Sequence, residues 1–148
     1  MLKLPPPIWA LIYLLIAGAV SWLYPWRVLG DVRVLWLGAV LIVLGFALAF
    51  SAASLFRRKG TELIPTSETN KLLVIQGPFR FTRNPMYLGL VIVTAGVAFC
   101  VGSLPMFAVP LLVFATANWV HIPFEEAKMR RQFGAAFDAY TGRVRRWI

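Results

Sequence analysis

Residues 86–120 read MYLGLVIVTAGVAFCVGSLPMFAVPLLVFATANWV, two uncharged apolar runs joined only at Gly102 and Ser103. Each run comes close to the ~17–25 residues that an α-helix takes to cross a hydrocarbon core. So short a link leaves room only for a tight hairpin, and the two runs are expected to stand antiparallel. Outward from this pair, residues 8–24 and 34–55 are runs of the same kind, also free of Asp, Glu, Lys and Arg. The 148-residue chain is 59% hydrophobic and 14% charged, with a mean hydropathy of +0.73. That is more apolar surface than a soluble domain of this size can bury. The reading is an all-α, polytopic integral membrane protein with about four transmembrane helices and a cytoplasmic amphipathic C-terminal helix. The single lysine and PPP ahead of the first run make a poor signal-peptide n-region, so that run is expected to be a span.

Charge orients the spans. Lys3, then Arg57, Arg58, Lys59, Lys71, Arg80 and Arg83, then Lys128, Arg130, Arg131, Arg143, Arg145 and Arg146 fall on one side of a four-pass arrangement. Only Arg27 and Arg33 fall on the other. The positive-inside rule then places both termini and the long loop in the cytoplasm, with membrane lipids as neighbours. The formal net charge of +9 is read as topology and headgroup contact, not as nucleic-acid binding. One cysteine, Cys100, and one histidine, His121, are too few for an internal disulfide or the usual metal motifs, so no metal is expected. Gly38, Gly45 and Ala52 recur every seven residues, as do Gly89 and Gly96, which suits close helix approach in lipid. The chain divides into an N-terminal hairpin, residues 1–56, and a second half, residues 57–148, whose polar features are all cytoplasmic. Within the long loop, the apolar LLVI at residues 72–75 is expected on the membrane surface.

The tail HIPFEEAKMRRQFGAAFDAYTGRVRRWI holds a helix opened by Pro123, with Glu125 and Glu126 at its positive end and Thr141-Gly142 as its stop. At about 100° per residue, Met129, Phe133, Ala136, Phe137 and Tyr140 share one face. Glu126 lands on that face and Glu125 at its edge. A carboxylate so placed takes either Arg130, one turn on, in an ordinary helical pair, or a cationic or hydroxyl-bearing ligand. His121 reads as an interfacial residue at the end of the fourth span. Asn118, one turn earlier, either lines the same pocket or caps a neighbour.

The stretch GPFRFTRNPMYLG at residues 77–89, then a hydrophobic hairpin, then EE, then FGAAFDAYTGRVRRWI resembles the isoprenylcysteine carboxyl methyltransferase family and its bacterial phospholipid methyltransferase-like relatives. The R-[HN]-P-x-Y-x-G motif, the EE pair and Y-x-x-x-V occur in that order, and the resemblance runs over residues 60–148. Asn84 stands where eukaryotic members have histidine, and Arg145 where many members have proline. The resemblance implies a methyltransferase that uses S-adenosylmethionine in a membrane fold, here in a bacterial inner membrane. Its acceptor would be a carboxylate, a thiol or a lipid amine. No G-x-G occurs in the chain, so the glycine-rich loop of soluble nucleotide-binding folds is missing. The cofactor would then be held by other means: Glu125 or Glu126 on its ribose or ammonium, Arg83 or Arg143 on its carboxylate, and Tyr87, Tyr140 and Phe79 on its adenine and sulfonium. Asn84, Pro85 and Gly89 complete the cofactor set, with Pro85 starting the third span and Gly89 admitting a ligand or a neighbouring helix. Glu126, Tyr87 and Arg83 are the catalytic candidates; an ammonium acceptor would have to lose a proton, and Glu126, Tyr87 or His121 would be the candidates to take it. Two other readings stand beside this one: a catalytically silent membrane subunit of the same fold, and a small four-helix exporter. The exporter lacks the intramembrane ionisable residue that coupling would require.

Overall fold

The structure, a computed structural model, describes residues 4–24, 33–58 and 73–148. Six α-helices run through it: α1 (Pro6–Leu23), α2 (Leu35–Arg58), α3 (Pro85–Val101), α4 (Leu104–Thr116), α5 (Ile122–Phe133) and α6 (Ala135–Thr141). A 3₁₀ turn at Gly77–Arg80 precedes α3, and a π turn at Ala117–His121 joins α4 to α5. No strand occurs among the described residues. Three helical stretches are long and apolar enough to cross a membrane: Pro6–Leu23, Leu35–Arg58 and the continuous Leu104–Phe133. The shorter apolar helix Pro85–Val101 rises about 25 Å at 1.5 Å per residue, the lower end of a spanning length. The chain is thus an all-α membrane protein of the expected class. Lys3, Arg27, Lys59 and Lys71 lie outside the described residues.

The quoted hairpin forms as its link demands. Gly102 takes a left-handed φ of 72° and returns its N–H to the Ala98 carbonyl, Ser103 is extended, and α4 starts at once. Phe99 and Phe107 meet edge to face across the pair, 5.1 Å between ring centres.

The seven-residue glycine spacing is the seam between α2 and α3. A Cβ built on Gly45 would stand 2.6 Å from the Gly89 carbonyl oxygen, and one on Gly89 would stand 2.6 Å from that of Gly45. Gly38 and Gly96 repeat this reciprocity two turns away, at 2.6 and 2.7 Å. Backbone touches backbone, the arrangement that dispersion favours where lipid supplies no hydrophobic drive. Gly89 is therefore consumed by the neighbouring helix, the second of its two expected roles.

The first two spans do not form a unit of their own. α1 lies on α4, burying Ala10 and Ala17 against Met106, Val109 and Val113. Hydroxyl bridges fix both ends of that pair, Tyr13 to Thr116 at 2.8 Å and Ser21 to Ser103 at 2.7 Å. The outer faces are apolar, with Leu15, Phe50 and Leu111 exposed, as a surface solvated by acyl chains allows. All four spans alternate in direction, so the ends bearing Pro6, Arg58, Pro85 and His121 lie together.

Two local expectations are corrected. Pro123 stands in the first turn of α5 as expected, but the tail helix is not a separate start, since α4 continues through the π turn into α5. Pro123 has no N–H to give and its ring crowds the carbonyl four residues back. The helix widens there, and the Ile122 N–H reaches the Ala117 carbonyl. Nor does the tail helix run unbroken to Tyr140. Gly134, at φ 49° and ψ −125°, turns the chain between α5 and α6, and the pair Arg130 to Asp138 at 2.8 Å spans the corner. Val74, in the apolar loop patch, is buried against Ala52 and Phe79, whereas the next residue, Ile75, is exposed.

Candidate active site

The polar residues converge at the end of the bundle where α2 finishes and α3 begins. Pro85 occupies the first turn of α3, where its missing N–H costs no hydrogen bond, and the first helical bond runs from the Leu88 N–H to the Asn84 carbonyl. The turn before it is tied to the C-terminal tail. The Asn84 side-chain amide and the Thr82 hydroxyl both donate to the Arg146 carbonyl, at 2.9 and 3.2 Å. The Arg83 N–H donates to the Arg145 carbonyl at 3.0 Å. A proline at position 145 would offer the same carbonyl, so the departure noted there preserves this contact.

Behind this turn lies a cavity of about 100 Å³. Phe56, Val74, Met86, Met129 and Phe137 form its apolar wall; Arg83, Asn84, Tyr87, Glu125, Glu126 and Tyr140 bring polar groups to it, and Phe79 and Pro85 complete the lining with Leu73. Of the sequence-derived site residues, Arg83, Asn84, Pro85, Tyr87, Glu125, Glu126 and Tyr140 are brought together here. Gly89 faces α2 instead. Arg143 is exposed, its Nε spent on the Ala139 carbonyl at 3.2 Å, and does not reach the cavity.

The two glutamates have separate partners. Tyr87, one turn into α3, donates its hydroxyl to Glu125 Oε1 at 2.5 Å. Glu125 lies on α5, beyond the apolar stretch that ends at His121, and burial pushes its carboxyl up to about 7. The Tyr87 hydrogen bond and Lys128 oppose that rise, and the adjacent Glu126 adds to it. Near neutral pH such a group can hold or release a proton. Glu126 instead faces two guanidinium groups. Arg146 forks onto it, Nη2 to Oε2 at 2.6 Å and Nε to Oε1 at 3.2 Å, while Arg83 Nη2 stands 3.3 Å from Oε1. The helical pair with Arg130 does not form, since Arg130 is bonded to Asp138. Arg83 keeps one donor in reserve: its Nε is buried without a partner among the described residues.

Tyr140 presents its ring to the cavity and donates its hydroxyl to the Phe79 carbonyl at 2.7 Å. Burial pushes that phenol up to about 12, with the Arg83 charge pulling the other way. His121, at the end of the fourth span, is not exposed at the surface of the bundle. It is buried in the π turn, its ring 6.2 Å from that of Tyr87. Asn118 Oδ1 accepts from Arg146 Nη1 at 3.3 Å and from Trp147 Nε1 at 3.0 Å, so it holds the tail. Arg146 is the residue that sequence reasoning missed. Charge counting sees it as one of many basic tail positions, and its only sequence-level signal is its place directly after Arg145 in the ending that the resemblance covers. No group of three or more His, Cys, Asp or Glu side chains able to hold a metal stands among the described residues.

Fold and site together define an all-α membrane protein with a buried ionic cluster and an apolar cleft at one end of its spans. Residues 33–136 match the family model described as phospholipid methyltransferase, and the chain belongs to that family. The match starts ahead of α2, so it reaches further toward the N-terminus than the motifs at residues 60–148. The chain is also 31% identical, over 114 residues, to the Arabidopsis thaliana protein named protein-S-isoprenylcysteine O-methyltransferase B. That alignment covers 72% of this chain and 55% of the plant protein, so the chain spans about half the length of the curated relative it matches. No solved structure matches it.

Proposed function

We propose that the chain is an S-adenosylmethionine-dependent methyltransferase that works at the membrane boundary on a small or lipophilic acceptor. The observation that carries the reading is the cavity itself. It places one under-satisfied guanidinium, a near-neutral carboxyl and aromatic walls beside an apolar flank, in a chain of the phospholipid methyltransferase family.

The residues present fit the cofactor. The buried Nε of Arg83, without a partner among the described residues, suits a carboxylate, and the rings of Phe79, Tyr87 and Tyr140 suit an adenine face and a sulfonium. When bound, the cofactor supplies a methyl group already activated on sulfur. The chain's own task is then alignment and exclusion of water. Arg83 fixes one end of the bound molecule. Phe56, Val74, Met86 and Met129 offer an apolar acceptor the apolar wall of the cavity. A carboxylate or thiolate acceptor arrives ready to react. An ammonium acceptor must give up a proton, and Glu125 can take it at the oxygen not engaged by Tyr87. Glu126 is spoken for by Arg83 and Arg146, so the base role considered for it passes to Glu125. The basic residues gathered at this end support a cytoplasmic orientation, where a water-soluble cofactor and a lipid-borne acceptor can meet.

Titration with S-adenosylmethionine in detergent, followed by radiolabelled methyl transfer to total lipid, small thiols and prenylcysteine analogues, tests the reading. Binding with transfer to one acceptor class is expected. Absence of binding refutes the reading, and binding without transfer to any class leaves a silent subunit of the same fold.

A further inference from the structure

We infer that Arg146 is a positioning residue that keeps Arg83 available to an anionic ligand by saturating Glu126; the inference rests on the reading of Arg83 as the carboxylate anchor. The geometry is a competition for one carboxylate. Glu126 and Arg83 are largely buried, and their side chains are equally exposed, at 16%. Left to themselves in a poorly solvated cleft, they would close into a neutral bidentate pair. They do not. Arg146 occupies both Glu126 oxygens, at 2.6 and 3.2 Å, and Arg83 is left with a single 3.3 Å contact through Nη2. Two guanidiniums against one carboxylate leave one positive charge in excess, and the Arg83 Nε, without a partner among the described residues, is where a donor remains.

Arg146 is itself anchored on three sides. Its Nη1 rests on Asn118 Oδ1 at 3.3 Å, and Asn118 is placed by the π turn. Its carbonyl receives Asn84 and Thr82. Trp147, the next residue, donates to the same Asn118 oxygen and lies against Phe114, 4.6 Å between ring centres. The tail is thus built to present a fork to Glu126 at a fixed place. Planar bidentate geometry is something lysine cannot copy, so position 146 calls for arginine specifically.

The test uses S-adenosylhomocysteine, which carries the carboxylate, and 5′-methylthioadenosine, which lacks it, each titrated calorimetrically against the full chain in detergent. Arg146→Gln frees Glu126 to seize Arg83 and should weaken S-adenosylhomocysteine about tenfold. Binding of 5′-methylthioadenosine should stay within about twofold of the parent protein. Arg146→Lys should fall between. The double variant Glu126→Gln with Arg146→Gln removes the competitor along with its guard, and should recover most of the lost affinity. Unchanged S-adenosylhomocysteine affinity in Arg146→Gln, a double variant as weak as the single, or equal loss of both ligands would each overturn the inference. Arg83→Gln separates the two levels. If it binds S-adenosylhomocysteine normally, the carboxylate assignment fails; if it binds weakly while Arg146→Gln does not, only the role of Arg146 fails.

Discussion

Replacing Glu125 by glutamine should change how the protein's stability responds to pH. In the unfolded chain the carboxyl keeps its ordinary value of 4.5, whereas in the folded protein burial lifts it to about 7. Between those values the native state binds more protons than the unfolded state, so stability falls as pH rises. Well below 4.5 both states are protonated and no penalty exists; above about 7 the penalty is complete. The gap between about 7 and 4.5, at about 1.4 kcal/mol per pH unit, comes to roughly 3–4 kcal/mol. Glutamine cannot ionise, yet it still offers the Tyr87 hydroxyl an oxygen at the position now bonded at 2.5 Å. The variant should therefore match the parent protein at low pH and exceed it in stability at neutral pH. At about 2–4 °C per kcal/mol for a chain of this size, the difference is several degrees. Thermal unfolding in detergent, followed by tryptophan fluorescence from about pH 4.5 to about pH 8, reads it directly. Parallel profiles for the two proteins would refute the buried, near-neutral carboxyl, and with it the capacity of Glu125 to take a proton from an acceptor.

Gly45→Ala sets a methyl against the Gly89 carbonyl, a backbone atom that cannot step aside. It should cost about 1–3 kcal/mol in detergent unfolding, whereas Gly18→Ala, with open space around it, should cost nothing. Tyr140→Phe keeps the cavity wall but strips the Phe79 carbonyl of its 2.7 Å donor, a loss of about 1–3 kcal/mol in the same assay. Arg130→Gln breaks an exposed pair, and both stability and S-adenosylmethionine affinity should stay near those of the parent protein. Reporter fusions at Ile148 and within residues 60–76 should report the cytoplasm, and one at Gly30 the opposite side; a fusion at Ile148 on the far side would overturn the orientation.

What could be read from the sequence were properties carried by runs. Four stretches without a charged residue give four helices, because no other backbone arrangement satisfies its own hydrogen bonds in lipid. Glycines seven apart give a seam, because that period returns to the same face. Properties set by contacts distant in sequence were not legible. The rule for helical pairs looks four residues ahead and finds Arg130 for Glu126; the true partners are Arg83 and Arg146, brought in by a turn before α3 and by the tail. Arg143 and Arg146 look alike by charge, and only the folded tail tells them apart. The helical wheel drawn from Glu125 to Tyr140 assumed one axis, and Gly134, with its positive φ, ends that assumption midway. Phe137 and Tyr140 are buried all the same, because the turn folds α6 back toward the cavity.

The π turn at Ala117–His121 sets the rotational phase of everything after it. A π turn is, in effect, an α-helix with one residue too many, and each added residue advances the side chains by about 100° around the axis. α4 can thus keep its own face against α1 while α5 aims Glu125 and Glu126 inward, although the two share one continuous rod. Excising one residue from the turn would leave an apolar helix still able to span lipid, but one that points both carboxylates away from Tyr87, Arg83 and Arg146.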